Sequence, residues 1–119
     1  MEEFEVFTIA GTGVIGNEDG SGNVASFKDP HGIAINNDGT IIVADTSNHK
    51  IRGIDLYGNV FTITGIGEEG DKDENGNETI FYYPRGIAIK NDGTIVISDT
   101  ENNKIMGIRT KKLVKSAIE

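Results

Sequence analysis

Apolar and polar residues in this chain either alternate with a period of two or form short, solid apolar runs. The clearest runs, residues 33–35 and 41–44, are separated by Asn37, Asp38 and Gly39. Apolar, β-branched runs on either side of Asn-Asp-Gly predict two strands joined by a hairpin, because these turn residues tolerate positive φ. No stretch shows the spacing of an amphipathic helix. The pattern predicts an all-β protein.

The strands of one unit differ in character. Residues 41–44 are continuously apolar, which indicates a strand buried on both faces. Residues 50–55 are more polar and predict a strand toward a solvent edge. A turn at 57–59 and an apolar run at 60–63 complete a four-stranded antiparallel meander. The long Gly-rich connection at 11–29 ends near Phe27, and we expect Phe27 and its equivalent Phe81 to anchor such connections to the sheet.

The whole pattern returns at a constant offset of 54 residues, as from Pro30 to Pro84 and from Phe27 to Phe81. A fixed period of this length predicts a modular array in which each unit buries its apolar face against a neighbour. We expect one repeat domain over 1–119, with the first repeat at about 30–64 and the second at about 84–118. Residues 5–10 match the fourth strand of a unit whose other strands are not encoded, so they predict an orphan outer strand.

Composition narrows the function classes. The formal net charge of −8 argues against nucleic acid, since a phosphate-binding surface needs clustered Lys and Arg. The one basic cluster, Lys111, Lys112 and Lys115, is expected to be a solvated terminus. No apolar run approaches the length of a membrane span, so we expect no membrane partner. The absence of cysteine and an acidic start without a signal peptide favour the cytoplasm without assigning a compartment.

The amino-acid pattern of the repeat resembles that of the NHL repeat family. The matching stretches are Pro-His-Gly-Ile-Ala-Ile at 30–35, Ile-Ile-Val-Ala-Asp-Thr at 41–46 and Asn-His-Lys-Ile-Arg at 48–52. The second copy departs from them at Ser98, Asn103 and Met106. The resemblance implies β-propeller blades, each a four-stranded antiparallel meander, in rings of five or six blades. This chain encodes about two.

Two blades leave three assemblies open. In the first, three copies join head to tail into a six-bladed ring, each donating residues 5–10 to a neighbour's last blade. Alternatively, the chain is a fragment of a longer propeller, or an open two-bladed monomer. The last predicted strand, at 113–119, is weak because Lys115 and Ser116 stand where the first copy has Phe61 and Thr62. A short helix or a frayed tail over 111–119 is the alternative.

Asp45 and Asp99 recur at the end of the same strand, each followed by threonine. Such carboxylates serve either acid–base or metal chemistry, or they cap the following turn by accepting backbone N–H bonds. Recurrence in both units favours capping, because catalysis needs one special site.

Asp71, Asp73 and Asn75 imitate the start of a calcium-binding loop. Tyr82 stands where an EF-hand has its bidentate glutamate, so the alternative is an acidic, solvated loop. Calcium, weakly bound, is thus the one cofactor that the sequence suggests.

His31 and Arg85 occupy the same position of the two units, between Pro and Gly, where neighbouring residues are unchanged. In a propeller this position lies at the channel mouth, where a cationic pair would attract an anionic ligand or a carboxylate side chain. The alternative is that both are ordinary variable loop residues.

These features favour a non-catalytic interaction module that binds a protein or peptide through its loop-bearing face. Some proteins that resemble this scaffold are metal-dependent hydrolases or lyases, so an enzyme with a channel metal held by His31 of several copies is the alternative. A ligand-free repeat scaffold is the third possibility.

Overall fold

Eight strands in two antiparallel sheets make up the fold, in a computed structural model that describes residues 2–65 and 81–110. The first sheet contains β1 (Gly20–Ser21), β2 (Pro30–Ile35), β3 (Ile41–Asp45), β4 (Lys50–Ile54) and β5 (Asn59–Thr64). The second contains β6 (Pro84–Ile89), β7 (Ile95–Asp99) and β8 (Lys104–Ile108). The candidate calcium ligands Asp71, Asp73 and Asn75 and the predicted strand at 113–119 lie outside the described residues.

The first sheet is the predicted meander with one added strand. Its order is β1-β5-β4-β3-β2, so β2 to β5 follow one another as neighbours and β1 lies outside β5. The second sheet repeats the order as β6-β7-β8. The all-β prediction is confirmed. Among the described residues the only helical segments are two single 3₁₀ turns, Thr46–Asn48 and Thr100–Asn102. None of these residues forms a helix of the length and apolarity that a bilayer crossing requires.

The β2–β3 hairpin turns as its sequence predicts. Gly39 has φ of 90° and donates its N–H to the Asn36 carbonyl at 2.9 Å. The Asp38 carboxylate accepts the N–H of Thr40 at 2.9 Å. The second hairpin, between β6 and β7, has the same two bonds from Gly93 and Thr94.

The main hydrophobic core lies between the two sheets. The sides that face each other contribute Ile42, Ala44 and Ile51 from the first sheet and Phe81, Ile95 and Ile97 from the second. All six are almost fully buried, and burying a side chain of isoleucine size stabilises a fold by about 1.5–3 kcal/mol. Each sheet thus buries its apolar side against the other, as expected for units of an array. Phe27 packs on the first sheet, as expected of a residue that anchors the connection before it. Its equivalent Phe81 is fully buried in the core between the sheets.

The prediction of a solvent-edge strand at 50–55 is wrong. β4 lies inside the sheet, between β3 and β5, and its residues 51–54 are all buried. A buried strand can carry Arg52 because the guanidinium finds carboxylate and carbonyl partners within the fold.

Residues 5–10 are not part of either sheet, and Phe7 and Ile9 are exposed. A strand requires hydrogen bonds to a neighbouring strand, so an outer strand at 5–10 stays a prediction.

Candidate functional site

One end of the sheets carries most of the candidate residues. This end, called the loop-bearing face below, consists of the two 3₁₀ turns and the first residues of β2 and β6. β3 and β7 deliver Asp45 and Asp99 to it because both strands end there. The hairpins β2–β3 and β6–β7 lie at the opposite end.

Asp45 is fully buried at this face, and its carboxylate binds three groups. Its Oδ1 accepts the N–H of Lys28 at 2.8 Å. Its Oδ2 accepts the Asn48 amide at 2.7 Å and the Arg52 guanidinium at 2.6 Å. The carboxylate therefore ties the end of the long connection to the 3₁₀ turn and to β4.

Asp99 repeats this arrangement in the second sheet. Its Oδ1 accepts the N–H of Tyr82 at 2.8 Å and its Oδ2 the Asn102 amide at 2.9 Å. The expectation of a structural role is supported for both aspartates. The predicted partner is wrong, however, because neither carboxylate caps its own 3₁₀ turn and each binds the backbone of the chain segment just before the first strand. Sequence spacing favoured the local turn, whereas the fold brings a segment 17 residues away into reach.

Arg52 was not singled out by its sequence position, yet it is the centre of the polar cluster in the first sheet. Its Nη1 donates to the Ser26 carbonyl at 2.9 Å, and its Nη2 donates to the Glu18 carbonyl at 2.7 Å and to Asp19 at 2.9 Å. The guanidinium lies over the Phe27 ring, 4.8 Å from its centroid. Only its Nε has no partner. The sequence contains one sign that Arg52 has a special role. The second copy has Met106 at the equivalent position, although it keeps the strand pattern.

His49 joins the two sheets at this face. It follows the first 3₁₀ turn with φ of 55° and is buried. Its Nδ1 accepts the N–H of Tyr83 at 3.0 Å, so the proton of the neutral ring is on Nε2. The Tyr83 ring meets the imidazole edge to face, with centroids 4.5 Å apart. Its counterpart Asn103 has nearly the same φ of 57° but is exposed.

His31 and Arg85 are the second residues of the edge strands β2 and β6, and both are exposed. The two strands pack side by side so closely that a side chain at Gly32 would clash with the Arg85 carbonyl. The fold thus brings the backbones of the two predicted residues together at the loop-bearing face. The His31 Nδ1 lies 2.8 Å from the Asp29 carbonyl and donates to it, which leaves Nε2 as an acceptor. Their role in ligand binding stays a prediction.

Within residues 2–65 and 81–110, no three His, Asp or Glu side chains lie close enough to share a metal ion.

The sheet order and the packing of the two sheets define two neighbouring blades of a β-propeller. The family model described as NHL repeat matches residues 27–54 and 81–106. The chain is therefore built from NHL repeats, one in each blade, and the resemblance read from the sequence is confirmed.

Two relatives and one solved structure show how far the similarity extends. The chain is 35% identical to Protein SUPPRESSOR OF QUENCHING 1, chloroplastic, of Arabidopsis thaliana, over 82% of this chain and 9% of that protein. It is 47% identical to NHL repeat-containing protein 2 of Gallus gallus, over 78% of this chain and 13% of that protein. A structural genomics protein from Bacteroides thetaiotaomicron VPI-5482 superposes with a TM-score of 0.76 at 25% identity, over 82% of this chain and 26% of that one. The chain thus spans a small part of each.

Proposed function

We propose that this chain is a non-catalytic propeller module that binds a protein or peptide through its loop-bearing face. One contrast at that face carries the proposal. The carboxylates that recur in both blades, Asp45 and Asp99, are buried and bonded to the backbone, so they are committed to holding the fold. The residues that differ between the blades, His31 and Arg85, are exposed.

A surface in which constant residues build the scaffold and variable residues meet solvent is typical of recognition. The cationic Arg85 would select a partner that presents a carboxylate, because a guanidinium binds carboxylates with two parallel hydrogen bonds. The Nε2 acceptor of His31 would take a hydrogen bond from an N–H or O–H group beside that carboxylate. The net charge of −8 makes this local positive charge distinctive on the protein. NHL repeats serve as recognition platforms in larger proteins, and this supports the assignment by analogy.

Selection of a displayed random peptide library on the full chain tests this function. We expect enrichment of peptides with acidic residues, and titration calorimetry of one such peptide should show at least a tenfold weaker affinity for Arg85→Ala and His31→Ala. Arg109→Ala is the matched control. Arg109 is exposed and lies just after β8, at the end of the sheet opposite to the loop-bearing face. Selected peptides that bind all three variants equally, or no enrichment at all, would contradict the proposal.

A further inference from the structure

The interface between the two blades has two sides, and each side has an equivalent on the outer side of the other blade. The side of the second blade that faces the first is built from residues 81, 95 and 97, and its equivalents 27, 41 and 43 lie on the outer side of the first blade. The side of the first blade that faces the second is built from residues 42, 44 and 51. Its equivalents 96, 98 and 105 lie on the outer side of the second blade.

Equivalent residues are buried where they lie between the blades and exposed where they lie on an outer side, as expected for an interface surface without its partner. Ile51 is fully buried between the blades, whereas Ile105 is 73% exposed. Ile87 packs into the core between the blades, whereas its equivalent Ile33 is 64% exposed. The same residue type thus stands inside the interface in one copy of the repeat and in solvent in the other.

The outer side of the first blade forms an apolar groove of about 280 Å³. The groove is bounded by Ile9, Phe27, Ile33, Ile41 and Val43, among others. Between the blades, the equivalent space bounded by Ile63, Phe81, Ile87, Ile95 and Ile97 is filled by Ile42, Ala44 and Ile51. The groove therefore has the same walls as the space between the blades. The residues equivalent to those that fill that space are 96, 98 and 105.

We infer that a second copy of this chain occupies the groove, with Ile105, Val96 and Ser98 of one copy packed on Phe27, Ile33 and Val43 of the next. This docking is head to tail, because the two surfaces are different and lie on opposite sides of the chain. It does not rest on the proposed peptide binding.

The hydrogen bonds between the blades supply the polar part of the same interface. Thr46 Oγ1 donates to the Pro84 carbonyl at 2.6 Å, and Asn37 Nδ2 donates to the Asn91 carbonyl at 3.3 Å. In the docked pair, Thr100 of one copy would donate to the Pro30 carbonyl of the next. Pro30 is exposed in the single chain while Pro84 is buried, in keeping with this pairing.

Six blades from three copies would close the array into a ring. Light scattering after size-exclusion chromatography of the full chain should then give about 38 kDa, three times the chain mass of 12.8 kDa. A mass of 12.8 kDa at all concentrations up to the millimolar range would overturn the inference.

Two charged variants decide whether the contact is head to tail. Ile105→Lys blocks one surface and Ile33→Lys the other, and both positions are exposed enough in the single chain for the fold to survive. Each variant alone should be monomeric. An equimolar mixture should form a dimer of about 26 kDa, twice the chain mass, because each variant retains the surface that the other lacks. Tyr57→Lys is the control, since Tyr57 is 88% exposed on the β4–β5 turn, and it should assemble like the unmodified chain. A mixture that remains monomeric, or variants that assemble normally, would overturn the inference.

Discussion

Asp45 and Arg52 form an ion pair in which both side chains are fully excluded from solvent, with Nη1 and Oδ2 2.6 Å apart. A buried pair of this kind gains little over apolar residues of the same volume, but removing one partner leaves an uncompensated charge. In this chain the guanidinium also accounts for how the long connection is held, because it binds the carbonyls of Glu18 and Ser26.

Replacing Arg52 by methionine, the residue at the equivalent position 106, should destabilise the protein by about 3 kcal/mol. The cause is the buried Asp45 carboxylate, which would keep only its neutral hydrogen-bond donors. Urea unfolding of Arg52→Met measures the loss. The double variant Asp45→Asn with Arg52→Met should be clearly less unstable than the two single losses added together. If the losses of unfolding free energy are additive, the ion pair is not the cause of the destabilisation.

Gly32 should not tolerate alanine, because a Cβ there would clash with the Arg85 carbonyl where β2 and β6 approach each other. We expect Gly32→Ala to cost about 1–3 kcal/mol by overpacking. Gly107→Ala is the matched control, since its Cβ would meet its nearest described neighbours at 3.7 and 4.0 Å, which is ordinary contact. Thermal unfolding of both variants makes the comparison, and equal melting temperatures would refute the close approach of the blades.

His49→Asn should keep its turn and weaken the contact between the blades. Asn103 shows that asparagine adopts this positive φ in the second repeat. The variant loses the edge-to-face contact of the imidazole with the Tyr83 ring and the acceptor for the Tyr83 N–H, which together should cost about 1 kcal/mol. Denaturant unfolding gives the value.

The reverse substitution, Asn103→His, is the control because position 103 is exposed. It should leave the stability of the single chain almost unchanged. A comparable loss in both variants would locate the effect in the turn and not in the junction.

The pKa of Asp55 is lowered from its ordinary value of 3.8, chiefly because its carboxylate accepts the backbone N–H of Asn59. The N–H of Tyr57 contributes in the same direction. A group whose pKa is lower in the folded state stabilises the fold above its unfolded pKa. That contribution should be complete well above pH 3.8 and disappear as the pH falls through the lower, folded-state pKa.

NMR titration of the carboxyl carbons measures this shift directly. Asp55→Asn should remove this contribution to the acid sensitivity of stability and leave the lowered pKa of Asp38, in the other hairpin of the blade, unchanged. A midpoint for Asp55 at or above 3.8 would contradict the hydrogen bonding of the β4–β5 turn.

The repeat, the strands β2 to β5 and the blade architecture were readable from the sequence, since alternation, turn residues and a fixed period are local properties of the chain. The anchoring of Phe81 followed from its recurrence just before the first strand of each unit. The same local reasoning misplaced residues 50–55 at a solvent edge, because it took the charge of Arg52 as a sign of exposure. What could not be read was that Asp19 and Asp45 meet that charge from 33 and 7 residues away.

Two NHL repeats, at 27–54 and 81–106, can be recognised from the amino-acid sequence alone, because each unit carries its own strand and turn signals. The roles of the recurring polar residues follow only from the packing of the sheets. Asp45 and Asp99 bind backbone groups of the segments that enter the blades, and His49 bridges to Tyr83 across the junction. These contacts join residues far apart in the chain, and local sequence patterns carry no information about such distances until the sheets have packed.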